Sequence, residues 1–182
     1  MNKIFKDISI YGVGDLLTKV VGLILLIFYT YFIDLSGIGT YGYLMILITL
    51  SMNLLMMGLD NAYIRFYFQY KSENQKKVLT STILLFWLFW TFLIVAIPII
   101  YYSEITYLLF DSYQYSLAVL FILISIPLKV ISSITNQVLR SQSKAKEFII
   151  FNFLTTLVTT ISAMFLIIYT EFGIVAIFLS FI

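Results

Sequence analysis

The sequence predicts an all-α integral membrane protein, and three observations carry that prediction. Hydrophobic residues make up 62% of the 182-residue chain and charged residues only 11%. Mean hydropathy is +1.02. The apolar residues gather in long runs separated by short polar breaks. A soluble domain of this length could bury a core, but it could not present enough polar surface to water. In lipid the requirement reverses: apolar side chains face the solvent, and backbone polar groups must be satisfied within each segment, as a helix does.

A span needs about 20 mostly apolar residues. The first is expected from about Ile8 to Ile33, ending at the Gly-rich turn Asp34-Leu-Ser-Gly-Ile-Gly39. The second runs from about Tyr41 to Leu59. Asp60, Asn61 and Arg65 follow at its end, then the polar stretch Lys71-Ser-Glu-Asn-Gln-Lys-Lys77. The third covers about Val78 to Tyr101 and leads into a loop with Glu104 and Asp111. The fourth covers about Tyr115 to Leu139, with a kink expected at Pro127. After Arg140-Ser-Gln-Ser-Lys-Ala-Lys-Glu147 the fifth runs from about Phe148 to Tyr169. A sixth apolar run follows Thr170-Glu-Phe-Gly173 and reaches the last residue, Ile182. At 1.5 Å per residue it covers about 15 Å, roughly half the hydrocarbon core. A helix stopping there would leave carbonyls unpaired in lipid. The expectation is therefore a six-helix transmembrane bundle over residues 1–182, five full spans plus a truncated sixth. The alternative is that the short run docks against other helices.

Several functions are excluded by what is missing. There is no Cys and no His, so disulfides, thiolate or His metal sites and Ser-His-Asp catalysis fall away. No cofactor and no metal are expected. A net charge of +2, with the basic residues dispersed, gives no nucleic-acid footprint. The first apolar run is not a cleavable leader: it contains Asp15 and Lys19 and has no A-x-A exit.

Charge placement predicts orientation. Numbering the connections alternately from an inside N-terminus puts Lys3, Lys6, Arg65, Lys71, Lys76, Lys77, Arg140, Lys144 and Lys146 inside. The outside set holds Asp34, Glu104, Asp111 and Glu171 and no basic residue. The positive-inside rule thus gives a cytoplasmic N-terminus in the cell membrane.

Polar residues within the spans share helical faces, as residues lining an interior do. On the fourth span, Ser125, Lys129, Ser132, Asn136 and Arg140 fall on one stripe, flanked by Ser133 and Gln137. Thr49, Asn53 and Asp60 repeat it on the second. The fifth carries Asn152, Thr155, Thr156, Thr159 and Thr160 on a broad face. The first groups Tyr11, Asp15, Thr18 and Gly22, with Lys19 beside them. The third has almost nothing polar between Leu84 and Thr91 and reads as lipid-facing, with Trp87 and Trp90 as lipid contacts and interface anchors. By helical rise, Lys19 lies about 16 Å beyond Ile8 and Lys129 about 16 Å before Arg140, so both approach the bilayer midplane. A charge there costs about 3 kcal/mol even on the lenient insertion scale. Asp15 stands one turn before Lys19 and can pair with it locally. Lys129 has no acid within a turn, so it needs another helix, water or an anionic ligand. The Ser and Thr residues read individually as helix packing or as back-bonds to carbonyls.

Four stretches resemble the N-terminal lobe of the polysaccharide flippases in the multidrug/oligosaccharidyl-lipid/polysaccharide superfamily. They are Gly14-Asp-Leu-Leu-Thr-Lys19, the turn Gly37-Ile-Gly-Thr-Tyr-Gly42, Gly58-Leu-Asp-Asn-Ala-Tyr-Ile-Arg-Phe-Tyr67 and Leu139-Arg-Ser-Gln-Ser-Lys-Ala145. Their order and spacing, more than any one motif, carry the likeness. It implies one lobe of a two-lobe transporter, with a central cavity that opens to each side in turn. It also implies movement of a polyprenyl-pyrophosphate-linked glycan to the outer leaflet of the lipid bilayer, and a C-terminal lobe as the missing partner. The residues expected to face the cavity are Asp15, Lys19, Asn53, Asp60, Arg65, Ser125, Lys129, Ser132, Asn136 and Asn152. The rivals are an ion-coupled drug exporter, which needs more intramembrane carboxylates than Asp15, and a membrane polymerase or ligase. The short outer connections, free of Lys and Arg, disfavour an enzyme.

Overall fold

The computed structural model describes residues 2–170 and 172–182, except the side chains of residues 2–11, 13 and 15. Every element among them is a helix: α1 (Asn2–Phe32), α2 (Leu35–Met56), α3 (Leu59–Gln69), α4 (Glu73–Ile100), α5 (Tyr102–Phe110), α6 (Ser116–Ser141), α7 (Ala145–Tyr169) and α8 (Ile174–Leu179). Four of them, α2, α4, α6 and α7, are long and apolar enough to cross a membrane, and α1 adds the shorter apolar stretch Leu16–Phe32. These are the expected first to fifth apolar runs, in order. Helix α6 continues through Pro127 to Ser141.

Two segments read as connections are helices. Residues 59–69 form α3, which α2 cannot join directly because Met57 (φ 48°) and Gly58 (φ 73°) are both left-handed. Glycine tolerates that conformation without a Cβ penalty. Its Tyr63 and Tyr67 are buried against α4 and α6, and the Tyr63 hydroxyl lies 3.0 Å from that of Thr80. Residues 102–110 form α5, anchored by fully buried Thr106, whose hydroxyl donates to the Tyr102 carbonyl at 2.7 Å. Neither helix has a run long enough to announce itself in hydropathy. Packing of one face fixes both.

Helix α6 is the hub, touching α2, α3, α4, α5, α7 and α8. Its buried residues Ile122, Ile126, Val130 and Ile134 recur every four positions on one face. Helix α4 lies along that face, and there Trp87 is only 1% exposed, packed with Val130 and Ile134. The third span is therefore only half lipid-facing. Leu85, Phe86, Phe89 and Phe92 are exposed, whereas Trp87, Thr91 and Val95 pack inward. Sequence could not separate these faces, because both are apolar. Helix α1 runs along α7, and Gly14 marks their close approach. A Cβ on Gly14 would lie 2.6 Å from Ile149 Cγ1, so with any larger residue either the Ile149 side chain or the helices must shift.

The sixth apolar run is docked. It yields only the short α8, in which Ala176, Ile177 and Phe178 are fully buried in a cluster with Tyr29, Ile48, Ala118 and Ala163. The carbonyls of Ala176, Ile177, Phe178 and Leu179 are paired. Ser180, Phe181 and Ile182 donate to the carbonyls of Ala176, Phe178 and Leu179 at 3.2 Å each, and the Ser180 hydroxyl donates to Ile177 at 2.6 Å. A tightened last turn thus satisfies these four carbonyls.

The two ends of the fold differ in charge. The entry to α4, the exit from α6 and the exit from α3 meet at one end, where Lys76 and Lys144 border a common cavity. At the other end the start of α2 meets α5 through Tyr43 and Phe110, ring centroids 5.5 Å apart, and Asp34, Glu104 and Asp111 lie on these turns. The Ser36 hydroxyl donates to the Asp34 carboxylate and holds its pKa below the usual carboxylate range.

Candidate functional site

A cavity of about 1250 Å³ opens between α6 and α7 and is bounded on one side by residues 179–182. Three of the expected residues, Lys129, Ser132 and Asn136, line it from α6. Their i, i+3, i+7 spacing puts them on one face of α6, distinct from the one that packs on α4. Helix α7 answers with Thr155, Thr156 and Thr159, and with the apolar side chains of Phe151, Leu154 and Val158.

Lys129 is the charged side chain on this wall among the described residues. It is half-buried, and its ammonium sits 4.0 Å from the centroid of the Phe181 ring. A cation over an aromatic face is stabilised by about 0.5–2 kcal/mol, most when desolvated. That offsets only part of the cost of a charge at this depth. No carboxylate pairs with Lys129 among the described residues. Its contact is thus a soft one, which an anion would outbid.

The polar groups around it are arranged as acceptors. Thr155 donates to the Phe151 carbonyl at 2.9 Å, Thr156 to Asn152 at 2.8 Å, and Thr159 to Thr155 at 3.0 Å. Each hydroxyl spends its proton on its own helix and presents lone pairs to the cavity. Ser132 makes no hydrogen bond among the described residues, so its hydroxyl can give and accept. Asn136 is tied to Asn152, an expected residue that does not itself line the cavity, by a reciprocal amide pair at 3.1 and 2.8 Å that joins α6 to α7. Asn152 also donates to the Phe148 carbonyl at 2.8 Å. Asn136 keeps one N–H free of the pair. Such a wall offers lone pairs and a few donors to a polyhydroxylated ligand, a cation to its negative group and apolar surface to a chain.

The other expected residues lie elsewhere. Ser125 is fully buried, and its hydroxyl donates to the Ile122 carbonyl at 2.8 Å, a packing role. Asn53 is exposed near the end of α2, and Asp60 and Arg65 sit on α3. None of these lines the cavity. Lys19 is exposed on α1, also outside it. The side chains of Lys3, Lys6, Tyr11 and Asp15, and residue Glu171, lie outside the described residues. Phe181 was not expected at the site: an aromatic in an apolar run carries no local signal that it will cap a lysine fifty residues away. The threonines were visible as a face of the fifth span but indistinguishable there from packing.

No family model, curated protein or solved structure matches this chain. Its function must therefore be read from the cavity itself.

Proposed function

We propose that the chain is one lobe of a flippase that carries a polyprenyl-pyrophosphate-linked oligosaccharide from the cytoplasmic to the outer leaflet by alternating access. In this reading α1, α2, α4, α6 and α7 are the five full spans of the bundle, α8 stands in the place of a sixth, and the N-terminus is cytoplasmic. The observation that carries it is the single half-buried lysine in a large cavity walled by hydroxyls, amides and apolar side chains. At about 1250 Å³ the cavity exceeds the roughly 300–1,000 Å³ of ordinary small-molecule sites, which favours a headgroup with sugars attached. An anionic headgroup gives Lys129 the charged partner that the described residues do not supply. The drug-exporter reading is weaker, because no Asp or Glu lines the cavity among the described residues.

Interrupting the chain in its host should leave lipid-linked oligosaccharide accumulating in the cytoplasmic leaflet, with surface polysaccharide lost. Normal surface polysaccharide in such a strain would reject the flippase. The orientation has its own test. Single cysteines in place of Glu104 and Gln114, both exposed at the acidic end, should react with an impermeant thiol reagent added to intact cells. Cysteines in place of Ser72 and Gln142, exposed at the basic end, should react only after the membrane is opened. The opposite pattern would invert the transport direction.

A further inference from the structure

The two polar breaks at residues 70–77 and 140–147 are remote in sequence, yet they border one cavity of about 550 Å³. It is separate from the cavity of Lys129 and shares no lining residue with it. Tyr67, Phe68 and Tyr70 come to it from α3 and its exit, Glu73 and Lys76 from the first turn of α4, and Gln142 and Lys144 from the turn before α7.

Its charge balance is specific. Glu73 is held by Lys76 in an ion pair at 2.8 Å. Lys76 also lies 5.0 Å above the Tyr67 ring. Lys144 makes no ion pair among the described residues. Two ammonium groups less one carboxylate leave the cavity with one positive charge. The side chains of Gln142 and Tyr70 make no hydrogen bond among the described residues and add uncharged donors beside it. At the rim of this polar recess the lining residue Phe68 is 67% exposed, an apolar shoulder beside the polar groups.

We infer that this cavity binds the phosphodiester headgroup of an anionic phospholipid, with an acyl chain lying along Phe68. A phosphodiester carries one negative charge and matches the cavity's net charge. A zwitterionic headgroup brings no net charge, and its ammonium finds the one carboxylate in the wall among the described residues already engaged by Lys76. The apolar shoulder has no use for a soluble anion. The inference rests on the chain spanning a membrane and not on what it transports.

The test is retention of lipid by the full chain released from nanodiscs that mix phosphatidylglycerol with phosphatidylcholine, read by native mass spectrometry. The wild-type chain should keep phosphatidylglycerol in preference to phosphatidylcholine. Lys76→Gln combined with Lys144→Gln should lower that preference about tenfold, the scale expected for two basic residues at a membrane surface. Lys146→Gln, an exposed lysine outside the cavity, should leave it within about twofold. Glu73→Gln removes the opposing carboxylate and should raise the preference, an outcome that loss of folding cannot mimic. Equal retention by the wild type and the double variant would overturn the proposal, as would no gain in Glu73→Gln. Lysine-dependent binding of inorganic phosphate without lysine-dependent retention of phosphatidylglycerol would overturn it too, by assigning the cavity to a soluble anion.

Discussion

Replacing Lys129 with alanine is expected to lower export of lipid-linked sugar by about ten- to a hundred-fold, the worth of a charge-assisted hydrogen bond to a phosphate. Membrane abundance should hold. Lys129 faces an aromatic ring rather than an acid, so removing it strands no buried carboxylate among the described residues. It also removes an insertion cost of about 3 kcal/mol. Lys129→Arg should retain part of the activity, since charge persists while a compact ammonium becomes a broad planar fork. A purely structural lysine would behave differently. If Lys129 neutralised Asp15, the alanine variant would lose abundance, and replacing both residues with leucine would restore abundance and export together. Quantifying the protein in membranes and the polysaccharide at the cell surface, in the single and double variants, separates the two. Wild-type export by a normally abundant Lys129→Ala chain would refute headgroup binding.

Phe178→Ala should be the most damaging single substitution near the cavity. Phe178 is fully buried, with ring contacts to Tyr41 at 6.0 Å and Phe181 at 5.8 Å. Truncating such a ring costs about 3–5 kcal/mol, because a cavity is left behind where the ring had packed. In a bilayer the lost dispersion contacts remain even though the hydrophobic drive between helices is gone. The loss should also free Phe181 and with it the cap on Lys129. Thermal unfolding in detergent should show a clear fall for Phe178→Ala and little change for Ile182→Ala, which is 54% exposed. Equal midpoints would mean that α8 does not dock as described.

How the candidate site came together is instructive about what a linear pattern holds. Lys129, Ser132 and Asn136 could be grouped from sequence because one helix carries them, and helical period alone puts them on one face. Ser125 belongs to the same stripe by spacing but sits where α6 is enclosed, so burial turned it to back-bonding instead. Thr49, Asn53 and Asp60 made a stripe that the left-handed residues Met57 and Gly58 break, which puts α3 on its own course. The aromatic cap on Lys129 and the amide bridge between Asn136 and Asn152 join separate helices, and no periodicity within one helix encodes such a pairing.

The sequence by itself determined that the chain is helical, where its long apolar helices run, and which connections carry the basic and acidic residues. Those properties are local: hydropathy over about 20 residues decides burial in lipid, and the backbone must then close its hydrogen bonds within the segment. Only the tertiary structure decided which apolar face packs and which is exposed, since in α4 both faces look alike and Trp87 is selected by the shape of α6. It alone decided that residues 174–182 fold into a docked turn, because a tightened end pairs the carbonyls of residues 176–179 and α1, α2, α6 and α7 enclose the side chains. Two lysines from distant polar breaks share one recess for the same reason. Their meeting depends on the antiparallel packing of α4 against α6, a relation between segments that no single segment contains.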